Sequence, residues 1–287
     1  MIVKIEKANS TGFCFGVKRT IAVLEKAAAE HGQVETLGAV VHNQQVIQKL
    51  TDIGIRAASS IDDIQGNIVA IGAHGVSPAV ETELRRRCAE VINTTCPFVH
   101  RAQVAARRLA KAGFFVVVYG ESNHPEVKGI LGWAEGKGVA TLEADFAAGF
   151  KPLPRRLGIL SQTTQIPAYF CRFVKEVIDV ALVKDAELRI IDTICHDIRD
   201  RQQAALKLAK RVDLMLVIGS LTSANTKHLA ELCATVTQTE FIENANGIQH
   251  SWLQGHRHIG VAAGASTDEA TVDEVVAKLR SIGKTLP

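Results

Sequence analysis

EVINTTCPFVHRAQVAARRLAKAGFFVVVYGESNHPE, residues 90–126, carries the plan on which the fold turns. An extended stretch runs into Cys96. An amphipathic helix follows, with basic residues on its polar face, and stops near Gly113. The apolar strand FFVVVYGESNHPE comes next and delivers His124 and Glu126. The same order occurs at two other places. KIEKANSTGFC leads to Cys14, the helix GVKRTIAVLEKAAAE ends near Gly32, and the strand VETLGAVVHN delivers His42. LRIIDTIC leads to Cys195, the helix HDIRDRQQAALKLAKR runs into Val212, and the strand LMLVIGSLTSANT delivers Ser223 and Asn225. From cysteine to polar residue the spacing is 28 (14 to 42), 28 (96 to 124) and 30 (195 to 225).

Each repeat continues alike. A second helix follows, then a weak strand, then a stronger one ending in polar residues. The stronger strands are NIVAIGAHGVSP with His74, RLGILSQTTQIP with Thr163 and Thr164, and HIGVAAGASTDE with Ser266. Alternating strands and helices predict α/β units with parallel sheets. We read three such units: 15–97, 98–194 and 195–287, the last completed by the N-terminal segment 1–14. Repeats of this length are domain duplications and not solenoid turns.

Composition bounds the function. The chain has 287 residues, 47% hydrophobic and 22% charged, so it can build a core and is not globally disordered. A net charge of +3 is too mild a footprint for nucleic acid. The longest apolar runs, Phe114–Tyr119 and Leu214–Ile218, are far short of a membrane span. MIVKIEKANSTG has no signal-peptide core, so the cytoplasm is expected, and there six cysteines do not read as disulfides. A monomer or weak dimer is expected. Cys88, Cys171 and Cys233 fall within helical patterns and read as small buried hydrophobes.

In open parallel sheets, ligands bind beyond the carboxyl ends of the strands. Cys14, Cys96, Cys195, His42, His74, His124, Thr163, Asn225 and Ser266 all hold that kind of position. Three units facing inward would gather them around one central site. Three soft thiolates suit zinc, copper or an iron–sulfur cluster. The imidazoles, hydroxyls and amide suit an anion, helped by helix N-termini that Pro78, Pro97, Pro125 and Pro167 mark. No P-loop or dinucleotide fingerprint is present. Glu126 is the one carboxylate in the set, and its pKa should rise as suits a general acid.

The motifs resemble the 4-hydroxy-3-methylbut-2-enyl diphosphate reductase family (IspH, or LytB). The matching stretches are GFCFGVKR at 12–19, GAVVHN at 38–43, AHGVSP at 73–78, TCPFV at 95–99, HPEVKG at 124–129, SQTT at 161–164, DTIC at 192–195 with RQ at 201–202, and AGAST at 263–267. The resemblance implies a three-lobed α/β trefoil with a central [4Fe–4S] cluster on Cys14, Cys96 and Cys195. It implies that His42, His74, His124, Ser223, Asn225 and Ser266 hold a diphosphate, with the Ala224 backbone N–H contributing. It places Thr163 near the substrate hydroxyl and makes Glu126 a proton relay. The implied reaction is reductive dehydroxylation of 4-hydroxy-3-methylbut-2-enyl diphosphate to isopentenyl and dimethylallyl diphosphate, the last step of the methylerythritol phosphate route. Electrons would come from an external carrier such as ferredoxin or flavodoxin; the basic stretches Arg85–Arg87 and Arg107–Arg108 could dock an acidic one, but each reads first as a solvated helix face.

The chain departs from the family pattern in places. Ala224 stands where a serine is usual, Asn123 replaces a glycine, and Ile198, Arg199, His100, Arg101 and Trp133 are unusual. Two other readings stay open, the first of them because of these departures. One is a paralogue acting on another allylic diphosphate. The other is a three-cysteine redox or metal sensor without catalysis.

Overall fold

A computed structural model describes residues 3–41, 43–150 and 152–285. Its strands, in chain order, are β1 (Lys4–Lys7), β2 (Val34–Leu37), β3 (Ile55–Ala58), β4 (Ile68–Ile71), β5 (Glu90–Asn93), β6 (Phe115–Tyr119), β7 (Gly138–Thr141), β8 (Arg156–Ser161), β9 (Glu187–Ile191), β10 (Leu214–Ile218), β11 (Gln238–Ile242) and β12 (His258–Ala263). The helices are α1 (Phe15–His31), α2 (Gln44–Asp52), α3 (Pro78–Arg87), α4 (Pro97–Lys111), α5 (Pro125–Trp133), α6 (Pro167–Val183), α7 (His196–Ala209), α8 (Ala224–Ala234) and α9 (Glu269–Thr285).

The strands form three four-stranded sheets, ordered β3-β2-β4-β5, β7-β6-β8-β9 and β11-β10-β12-β1. Every pairing among them is parallel. Two sheets follow one plan in chain order: second strand, first, third, fourth. The last sheet keeps the plan by taking β1 as its fourth strand, with Lys4 opposite His258. In each sheet the chain leaves its first strand toward one edge and its third toward the other. Crevices therefore open between the ends of β2 and β4, of β6 and β8, and of β10 and β12, where parallel sheets bind ligands.

Helices cover both faces of a sheet, which is why its inner strands read as unbroken apolar runs. Val116 and Val118 pack with Leu109, Val127 and Ile130 of α4 and α5. The alternate residues, Val117 and Tyr119, pack with Phe170, Phe173 and Val177 of α6. In the last sheet Leu214, Leu216 and Ile218 pack with Val272, Val275 and Leu279 of α9. Met215 and Val217 pack with Leu208, Leu229 and Cys233 on the other side. Pro78, Pro97, Pro125 and Pro167 each open a helix, where a missing N–H costs nothing.

Two of the cysteine expectations need correction. Cys171 is exposed, because the buried stripe of α6 runs through Phe170, Phe173, Val177 and Ala181 and bypasses it. Cys88 is buried but does not lie within α3: it ends the helix in extended conformation, at φ −107° and ψ 147°. Cys233 is buried in α8 as expected.

The chain forms two compact bodies. One comprises Met1–Lys18, Val41–Lys49 and His196–Pro287 and holds the β1–β12–β10–β11 sheet; the other comprises Arg19–Val40 and Leu50–Cys195 and holds the other two sheets. Among the described residues no helix is long and apolar enough to cross a membrane.

Candidate active site

The body of two sheets carries six of the anticipated residues: His74, Cys96, His124, Glu126, Thr163 and Cys195. His124 caps α5, its Nδ1 accepting the Glu126 N–H at 3.2 Å. An acceptor Nδ1 places the proton of the neutral ring on Nε2, which is then a donor. The His74 and His124 rings meet edge to face, with centroids 5.3 Å apart.

Glu126 follows on α5 and is 1% exposed. Its Oε1 accepts the Thr163 N–H at 2.6 Å and its Oε2 the Thr163 hydroxyl at 2.8 Å. Burial pushes its pKa up to about 7, although both Thr163 donors favour the carboxylate. A carboxyl tuned to neutrality can both give and regain a proton. Sequence reading anticipated the rise but not Thr163 as its partner.

The loop bearing His74 is fixed from two helices. The Val76 carbonyl accepts Trp133 Nε1 at 3.0 Å from the end of α5 and Gln103 Nε2 at 3.4 Å from α4. Gly75 has φ +65°, and a Cβ there would collide with the Gln103 amide. His100 and Arg107 pack on the Trp133 ring, at 6.2 and 5.6 Å between centres. The unusual Trp133 thus acts on the loop that carries His74. Gln162 was not anticipated either: buried at the end of β8, its Oε1 accepts the Glu121 N–H at 3.1 Å and ties the loop before His124 to that strand.

The other body carries Cys14, Ser223, Ala224, Asn225 and Ser266. Ser223 caps α8, its hydroxyl accepting the Thr226 N–H at 3.4 Å. Ala224 and Asn225 fill the first turn beside this N-terminus. Asn225 is 6% exposed, and among the described residues neither its Oδ1 nor its Nδ2 has a partner. An orphaned buried amide is costly, and a ligand at the helix N-terminus would satisfy it. Ser266 is half-buried just past β12. His42 lies outside the described residues.

The three cysteine turns share one hydrogen bond. The Cys96 N–H donates to Ala73 at 3.0 Å, the Cys195 N–H to Thr163 at 3.0 Å, and the Cys14 N–H to Ala265 at 2.9 Å. Each acceptor lies two residues past the third strand of its own sheet, after β4, β8 and β12. Each cysteine also stands at the start of a helix: α1, α4 or α7. The Val17 N–H donates to the Cys14 sulfur at 3.4 Å. Burial pushes the Cys96 thiol up, while the Phe98 and Val99 N–H groups and Arg19 act against this. N–H groups aimed at sulfur are the donor chemistry that favours a thiolate, and hence a soft metal or an iron–sulfur cluster. Among the described residues no three His, Cys, Asp or Glu side chains gather closely enough to hold a single metal ion.

The basic stretch Arg85–Arg87 does not form an unpaired patch. Arg85 pairs with Glu81, Arg86 and Arg87 with Glu83, and Arg87 also with Asp62.

Comparison with known proteins follows the same outline. The family model described as LytB protein matches residues 5–280. A 4-hydroxy-3-methylbut-2-enyl diphosphate reductase of Dehalococcoides mccartyi (strain CBDB1) is 60% identical over 277 residues, 96% of this chain and 98% of its own. The reductase of that name from Geobacter sulfurreducens (strain ATCC 51573 / DSM 12127 / PCA) is 40% identical over 279 residues, 97% of each chain. A solved (E)-4-hydroxy-3-methyl-but-2-enyl diphosphate reductase, the terminal enzyme of the non-mevalonate pathway, aligns with TM-score 0.70 and 35% identity over 98% of this chain and 100% of its own. The Plasmodium falciparum E-1-hydroxy-2-methyl-but-2-enyl-4-diphosphate reductase shares the fold, with TM-score 0.89 at 24% identity over 96% of this chain and 88% of its own. Matched along nearly its whole length, the chain belongs to the LytB protein family.

Proposed function

We infer that the chain is a 4-hydroxy-3-methylbut-2-enyl diphosphate reductase, an oxidoreductase of the non-mevalonate route to isoprenoids. The allylic C–O bond breaks, the hydroxyl leaves as water, and two electrons and two protons enter to give isopentenyl or dimethylallyl diphosphate. The observation that carries this reading is Glu126: a buried carboxyl held by Thr163, with a pKa pushed up to about 7, is built to deliver a proton.

Cys14, Cys96 and Cys195 would hold a [4Fe–4S] cluster; the helix-start positions of all three and the N–H groups facing the Cys14 and Cys96 sulfurs support that assignment. When bound, the cluster supplies electrons and a Lewis-acidic iron at the leaving oxygen. Thr163 orients Glu126 and stands near the substrate hydroxyl. The diphosphate falls to His42, His74, His124, Ser223, Asn225 and Ser266 and to the Ala224 N–H. Asn225 supports this by its orphaned amide, and His124 by its Nε2 donor.

The electron donor we assign is an external carrier such as ferredoxin or flavodoxin, and the compartment the reducing cytoplasm, in keeping with six free cysteines. We further assign each sheet with its helices to one unit: 15–97, 98–194, and 195–287 with 1–14.

The test is anaerobic turnover of 4-hydroxy-3-methylbut-2-enyl diphosphate by cluster-reconstituted protein with a chemical reductant. Both products are expected, and Glu126→Gln should lower turnover by about 10²- to 10⁴-fold with iron and sulfide retained. No turnover with an intact cluster would sink the assignment and favour a paralogue, to which the missing hydroxyl at Ala224 points.

A further inference from the structure

We propose that Thr94, Thr193 and Arg201 are positioning residues, one for each cysteine turn, that latch the turn to the end of the third strand of its sheet. In the sheet of β4, Thr94 lies two residues before Cys96. Its Oγ1 donates to the carbonyl of Ile71, the last residue of β4, at 2.6 Å, and its N–H donates to the same oxygen at 3.0 Å. In the sheet of β8, Thr193 lies two residues before Cys195. Its Oγ1 donates to the carbonyl of Ser161, the last residue of β8, and accepts the Ser161 N–H at 2.9 Å. Both threonines are fully buried.

The corresponding position before Cys14 is Gly12, which has no side chain to offer. Its φ is +75°, and a Cβ there would stand 2.9 Å from Glu269 Oε2. Arg201 of α7 supplies the missing bond. Its Nη1 donates at 3.1 Å to Ala263, the last residue of β12, and at 3.2 Å to Ser10, while Nη2 donates at 3.0 Å to Gly12. One guanidinium thus joins the strand end to both sides of the bend leading into Cys14. Arg201 is 3% exposed, and among the described residues it pairs with the Asp197 carboxylate at 3.5 Å. A buried arginine directed at carbonyls is costly unless those bonds are needed.

The purpose of the latches rests on the reading that the three cysteines act together, but their test needs neither substrate nor turnover. Hydrogen–deuterium exchange by mass spectrometry on the full chain reports each turn separately. Thr94→Val should speed exchange in the Cys96 turn alone by about fivefold, the effect of losing one neutral hydrogen bond, and Thr193→Val, which loses two, should speed that in the Cys195 turn alone by about 30-fold. Arg201→Met, which loses charged bonds, should speed exchange in the Cys14 turn by about 10- to 140-fold. Thr94→Ser and Thr193→Ser should restore slow exchange, and Arg201→Lys, a point donor, should fall between. The Arg201→Lys result stands in for Arg201→Met if the latter does not fold. Equal acceleration of all three turns, or none in the matching turn, overturns the proposal. A chain whose turns respond as expected but which does not reduce the diphosphate would sink the proposed function and leave the latches standing.

Discussion

Replacing Glu126 by glutamine should make the protein more stable above neutrality while removing its proton chemistry. The unfolded chain ionises this carboxyl near 4.5, whereas burial moves it to about 7 in the folded protein. Between those values the folded state holds a proton that the unfolded state has released. The group's contribution to stability is therefore intact below pH 4.5, falls as pH rises through the window, and levels off above about 7. At 1.36 kcal/mol per pH unit the loss is roughly 3 kcal/mol. The amide of Glu126→Gln carries no charge to desolvate and can still accept the Thr163 N–H, so the variant escapes the loss. Thermal unfolding of wild type and variant side by side, at pH 5 and pH 8, reads the difference, and the other carboxylates cancel in the comparison. The gap in favour of the variant should widen by about 4–6 °C between the two pH values for a protein of 287 residues. A carboxylic-acid stretch in the infrared should fade through about pH 7 in wild type and be missing from the variant. A gap equal at both pH values, or one that turns against the variant at pH 8, would refute the reasoning that burial keeps this carboxyl protonated.

Asn225→Ala should cost little stability, because its amide has no partner among the described residues to lose and its desolvation cost disappears with it. Calorimetry with inorganic pyrophosphate should show binding weakened by about 10- to 140-fold, the worth of a hydrogen bond to a charged group. Unchanged affinity would remove Asn225 from the binding set. Trp133→Phe keeps a ring beside His100 and Arg107 but deletes the donor to Val76. The KM for the diphosphate should then rise about fivefold, and a KM equal to wild type would mean that the His74 loop does not depend on this bond.

The strand–cysteine–helix plan was legible because its parts have strong local signals. LMLVI and FVVVY are apolar on both faces, and four prolines mark helix starts. The pairing of Lys4–Lys7 follows from counting, since the last third of the chain has only three strands of its own. Helix periodicity also held the answer for Cys171, because Phe170 and Phe173 define a stripe that excludes it. The carbonyls of Ala73, Thr163 and Ala265 could not be read, because a backbone acceptor has no sequence signature. Arg201 did leave a signal. It lies with Gln202 in a buried stripe that otherwise holds Ile198, Ala205, Leu208 and Ala209, and a charge in such a place needs a buried partner. Val76 had none, and its two donors emerge only when α4 and α5 are packed.

The pairing of β1 with β12 joins residue 4 to residue 258. β1 is therefore translated before the other described strands, yet it is the edge of the sheet whose remaining strands come after those of the other two. The sheets of β4 and β8 draw on strands translated close together, and their cysteine turns can lock as soon as Ile71 and Ser161 have met Thr94 and Thr193. The Cys14 turn must wait for Arg201, Ala263 and Ala265, all of which come from the far end of the chain. The native Cys14 turn therefore becomes possible last of the three, only after residue 265 has been made.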